Sequence, residues 1–87
     1  MKENRQKLPE LTKRVQEIIT DYAKGNITKF VSIINIDKPQ KVNRLFHLDK
    51  RFNSYPTVST DIIVAIGSHL PINMNWLLLG EGKKLKD

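Results

Sequence analysis

Cysteine is missing altogether, and that absence removes disulfide scaffolds, thiolate zinc sites, iron–sulfur clusters and thiol nucleophiles at once. A short chain that dispenses with disulfides is expected in the cytoplasm. Glycine and proline are scarce at four each, so no flexible linker or low-complexity tract interrupts the 87 residues. Long apolar runs are also missing. The most apolar stretch, residues 62–79, is broken by Ser68, His69, Pro71, Asn73 and Asn75, short of the roughly 20 continuous apolar residues that cross a bilayer. The charged opening through Lys7 lacks the apolar core of a signal peptide. Acidic residues are in short supply as well: nine Asp and Glu face fifteen Lys and Arg, and the net charge of +6 favours a polyanionic partner. With 39% hydrophobic and 28% charged residues, what remains is an ordinary globular chain, long enough for one domain with one small core. That domain is expected over residues 1–82, with a frayed tail at 83–87.

The catalytic inventory is equally thin. His47 and His69 fall on different predicted helices with no acid at metal-ligand spacing, and neither an HExxH motif nor a glycine-rich phosphate loop occurs. Carboxylates are scattered singly, without the pairing that acid–base chemistry uses. The sequence therefore predicts no enzyme, no metal site and no cofactor. His69 suits a helix C-terminus, where the dipole favours a cation.

What is present is a succession of short helices. Leu8, Leu11, Val15, Ile18, Ile19 and Tyr22 recur every three or four residues and fall within an arc of about 100°, which predicts a first helix over 8–22. Lys24 and Gly25 supply its stop. Asn26 is a natural N-cap for a second helix that turns Phe30, Val31 and Ile34 inward, and Asn35 is suited to the left-handed turn that ends it. Pro39 opens a third helix predicted to run to Asp49, with Val42, Leu45 and Phe46 inside. Beyond it comes a polar loop anchored by Phe52 and Tyr55. Thr57 or Ser59 caps a fourth helix whose Val58, Ile62, Ile66 and Leu70 recur every four residues until Pro71 stops it. Asn73 caps a fifth over residues 74–79, where Trp76, Leu77 and Leu78 are expected to seal the bundle and Gly80 closes the helix. No stretch alternates as a strand does, so the fold class is all-α.

The informative segment is 26–49. On the third helix Gln40, Arg44 and His47 share an outer arc of about 60°. Arg pairs bidentately with guanine O6 and N7, Gln with adenine, and His donates to a base edge or a phosphate, so this is chemistry that reads a major groove. The same side chains also suit a solvated helix face, and spacing alone does not separate the two. The charge map leans toward the groove. Lys38, Lys41, Arg44, Lys50 and Arg51 meet only Asp49 over their stretch, whereas residues 52–80 carry Asp61 as their single charge.

The order of motifs resembles the lambda-repressor-like helix-turn-helix family. The resemblance is carried by Asn26-Ile27-Thr28-Lys29-Phe30-Val31-Ser32-Ile33-Ile34-Asn35-Ile36, by Val42-Asn43-Arg44-Leu45-Phe46, by Tyr55-Pro56-Thr57-Val58-Ser59-Thr60-Asp61-Ile62-Ile63, and by the terminal Trp76-Leu77-Leu78-Leu79-Gly80-Glu81-Gly82, which is similar to a run that closes many bacterial and prophage members. It implies a five-helix domain whose helix 2 crosses the DNA backbone while helix 3 enters the major groove. By position it assigns Thr28 and Lys29 to phosphate, and Gln40, Lys41, Asn43, Arg44 and His47 to the groove. Val31 and Asn35 stand where the family has Ala and Gly. The turn before Val42 is also one residue longer, which leaves Pro39, Gln40 and Lys41 as alternatives for the first reading position.

The expected function is thus a sequence-specific, double-stranded DNA-binding transcriptional regulator of phage-repressor type, with Lys29, Lys38, Lys41, Lys50 and Arg51 along the phosphates. The alternative is a protein-interaction module on the same scaffold, such as an antitoxin or anti-repressor. RNA binding is disfavoured, because no aromatic stacking platform for single strands is visible. One short helix reads too few base pairs to select a genomic site, so a homodimer is expected. Leu79 is its expected seam, because a helix this short has little room to bury it beside Trp76, Leu77 and Leu78.

Overall fold

Proline at position 9 decides where the first helix begins. In the computed structural model, which describes residues 7–86, Pro9 is the extended N-cap (φ −61°, ψ 153°) and α1 spans Glu10–Ala23, two residues later than the apolar spacing predicts. The expected domain start at residues 1–6 and the tail residue Asp87 lie outside the described residues. Val15 and Ile18 of α1 are wholly buried, and Ile19 and Ala23 nearly so. The stop is tighter than expected. Lys24 is itself left-handed at φ 54° and Gly25 comes next at φ 84°, their amides donating to the carbonyls of Thr20 (3.1 Å) and Ile19 (3.2 Å).

The reversal delivers Asn26 as the N-cap of α2, Ile27–Ile33, where its side chain accepts from the Lys29 amide at 3.0 Å. Phe30 and Ile34 drop into the core and Val31 is 4% exposed. Asn35 takes the left-handed turn at φ 61°, and the Ile36 amide closes back onto the Val31 carbonyl at 2.9 Å. α3 is much shorter than predicted. It spans Gln40–Asn43 and continues as a single 3-10 turn, Arg44–Phe46, after which His47 is extended at φ −121°, ψ 131°.

The reason is local competition. Asp49 accepts from the Arg51 amide at 3.0 Å and forms an isolated antiparallel bridge with Ser54, and this turn takes the backbone that a longer helix would have used. Phe52, expected as an anchor, is 68% exposed beneath the Arg51 guanidinium, 5.3 Å from its ring centroid; Tyr55 is half-buried.

Ser59, the second of the two expected caps, precedes α4 at Thr60–His69. Its four-residue repeat is buried as predicted: Val58, Ile62, Ile66 and Leu70 are all within 7% of full burial. α5, Met74–Leu79, runs between the Asn73 cap, which accepts from the Asn75 amide at 3.0 Å, and Gly80 at φ 75°. Only Leu77 of its apolar run is fully buried. Trp76 is half-buried and Leu78 is 43% exposed, so the seal expected of all three falls to Leu77, because six residues present one narrow stripe to the core.

α1 is the organising element, packing on α2 and on α5, while α2 packs on α3. Arg14 fastens the α1–α5 joint: its Nε donates to the Leu77 carbonyl at 2.8 Å and a terminal nitrogen to that of Leu78 at 3.4 Å. The expected frayed tail is bonded to the body instead. Leu85 bridges Ile72, the Asn73 amide donates to the Lys84 carbonyl at 2.8 Å, and the Lys86 amide donates to that of Pro71 at 2.9 Å. The Lys84 ammonium meets Glu17 and Asp21 of α1 and lies 5.7 Å from the Trp76 ring centroid. Among the described residues there are five α-helices and no strand, the all-α class expected, and no helix is long and apolar enough to cross a membrane.

Candidate nucleic-acid interface

The alternation of buried and exposed residues along α3 builds the candidate face. Val42 and Leu45 are pinned in the core at 0% and 2% exposure, which forces Gln40, Lys41, Asn43 and Arg44 to the surface between and beside them. Gln40 and Arg44 stand one turn apart and stack along one side. His47 does not join them. It is exposed, but it comes after the last 3-10 residue in extended backbone, so the three-residue helical arc predicted from sequence reduces to two.

The flanking cations come from three places. Lys29 occupies the first turn of α2 beside the exposed, neutral Thr28, Lys38 precedes α3, and Lys50 and Arg51 sit in the turn closed by Asp49 and Ser54; all four cations are exposed. They differ in how their charge is met. Lys29, Lys38, Arg44 and Lys50 form no ion pair with any described carboxylate. Arg51 is paired with Asp49 at 3.1 Å, and the hydrogen bonds from Arg51 hold the Asp49 carboxyl below its usual range. Lys41 is paired with Asp37 at 3.0 Å; that hydrogen bond raises the Lys41 ammonium and lowers the Asp37 carboxyl.

Asp37 is the residue that reading the sequence as a row of cations missed. Its signal was the four-residue spacing to Lys41, although Asp37 stands in the turn ahead of the helix. Asp61 of α4 was noted as the single charge of residues 52–80. It also lines, together with Lys41, a shallow groove of about 500 Å³ whose lining includes Asn35, Asp37, Val64 and Ser68. Lys41, Arg44 and Asp61 meet again around a smaller cleft of about 240 Å³.

The other residues singled out in the sequence lie elsewhere. His69 donates through Nδ1 to the Ala65 carbonyl of its own helix at 3.0 Å. No three metal-ligating side chains come together among the described residues. Leu79 is 64% exposed at the end of α5. Compared with family models, with curated proteins and with solved structures, the chain matches none. The chemistry of the face itself sets its capability: two groove-competent side chains one turn apart, amide and amine neighbours, and around them Lys29, Lys38 and Lys50 with no ion pair to a described acid.

Proposed function

We propose that this chain is a sequence-specific, double-stranded DNA-binding transcriptional regulator of the lambda-repressor-like type, in which α2, the Asn35 turn and α3 form a helix-turn-helix. The observation that carries the reading is α3 with its 3-10 extension. Its inner residues Val42 and Leu45 are held in the core while Gln40 and Arg44, the two best base readers, project outward with Asn43 beside them. Lys29, Lys38 and Lys50 then contact phosphate, and the protein acts by occupying its site rather than by catalysis.

Dimerisation belongs to the same proposal. Seven residues of α3 and its 3-10 extension reach only a few base pairs, and the exposed Leu79 supplies a patch that two copies can bury together. Exposed Leu78 and Leu79 also favour the second reading, a module that grips another protein. A mobility shift against mixed duplex DNA at low and moderate salt separates the two. Three or four phosphate contacts per protomer give an expected log–log salt slope of about −3 per protomer. Selection from a random duplex pool then gives a palindromic site. A folded protein that retards no duplex at low salt overturns the DNA reading in favour of the interaction module.

A further inference from the structure

We infer that Asp37 is a positioning residue that withdraws Lys41 from the DNA and thereby leaves Gln40 as the first base reader of α3, an inference that rests on the DNA-binding reading above. Lys41 comes directly after Gln40, and the long turn after Asn35 makes either one a candidate for the leading position. Their surroundings differ. Lys41 is tied at 3.0 Å to Asp37, which lies in the turn just before α3, and it lines two clefts together with Asp61 of α4. Gln40 is exposed and lines neither of the two clefts that Lys41 shares with α4. Asp37 in the turn and Asp61 of α4 therefore give the Lys41 ammonium a place to be that is not a phosphate. Both members of the pair are largely solvent-exposed, so the tie is weak enough to be tuned by one substitution and strong enough to bias a flexible side chain.

The bias has a consequence for specificity. A lysine at the leading position is a mobile point charge that satisfies guanine and phosphate alike, whereas glutamine is discriminating for adenine. Holding Lys41 aside trades affinity common to all sequences for discrimination at one base.

The test is a double-mutant cycle with Asp37→Asn, Lys41→Met and both together, each titrated across salt against a selected site and its single-base mismatches. In the parent, Lys41→Met is expected to change the salt slope little, while Gln40→Ala removes discrimination at one position. Asp37→Asn is expected to strengthen binding to every duplex by roughly fivefold and to steepen the slope by about 0.9, as one added phosphate contact does. Both gains vanish when Lys41 is Met. If Asp37→Asn strengthens binding equally in the Lys41→Met background, Asp37 acts only by repelling phosphate and the positioning role is overturned. An unmoved slope in a parent that binds DNA overturns it as well, whereas a parent that binds no duplex overturns the DNA reading underneath. A DNA-free arm reads the tie itself: limiting acetic anhydride should modify Lys41 more slowly than Lys38 in the parent and at an equal rate in Asp37→Asn. Equal rates in the parent refute the tie.

Discussion

Arg44 and Lys50 are both exposed cations without a described acidic partner, yet they are expected to do different work. Arg44 projects from a helix between two core residues, so its truncation should leave stability within about 0.5 kcal/mol of the parent, as surface changes do. Binding to a selected site should weaken by about 1–3 kcal/mol and lose preference at one base position. Lys50→Ala should instead weaken all duplexes alike and flatten the salt slope by about one. An Arg44→Ala protein that keeps full discrimination at every position, measured by titration against single-base mismatches, removes Arg44 from the groove. Neighbouring residues of one type contrast in the same way inside the fold. Leu77 is wholly buried and Leu78 43% exposed, so Leu77→Ala should cost about 2–5 kcal/mol in a denaturant titration and Leu78→Ala far less.

Among the elements, the turns that depend on a residue's own backbone preference were legible in the sequence. Asn26 caps α2 through its side chain and Asn35 occupies the left-handed region, both as their chemistry requires. Asn35→Ala is accordingly expected to cost about 1 kcal/mol and Asn35→Gly to be tolerated, which thermal unfolding of the two variants checks. The length of α3 was not legible, because Val42, Leu45 and Phe46 mark only one turn of apolar spacing and the Asp49 turn competes for the backbone beyond them. The same limit explains His47, which periodicity carried into a helix that had already ended. It explains the tail too. Nothing near Lys84 in sequence signals that its partners are Glu17 and Asp21 on the far side of the chain. Those hydrogen bonds, to Asp21 first and then to Glu17, raise the Lys84 ammonium above its ordinary range. The contribution of this contact is therefore fully present below the unfolded lysine value of about 10.4 and is lost as pH rises through the folded one. Trp76 emission tracked from pH 8 to 12 in the parent and in Lys84→Met should show a transition that the variant lacks.

For the whole molecule, the proposed groove-reading residues are on α3 and its 3-10 extension and the most exposed leucine of the described residues is on α5, so binding and pairing are expected to be separable by mutation. A two-fold interface uses the same patch twice, and Leu79→Glu would set acid against acid. Sedimentation velocity should show the parent dimerising and the variant monomeric, with its fold intact by circular dichroism; equal dimerisation of the two moves the seam elsewhere. The Arg14 contacts on α5 have one more consequence, and it concerns time. Successive helices can find one another early because little chain separates them, whereas the Arg14–Leu77 bond joins residues 63 apart. Closing a loop of that length costs on the order of 4 kcal/mol in chain entropy, which favours forming the joint after the intervening helices have assembled. Contacts absent from the folding transition state govern escape from the native state. Arg14→Met should therefore speed unfolding while leaving refolding nearly unchanged in a stopped-flow chevron, and Val42→Ala, in the middle of the assembled chain, should slow refolding.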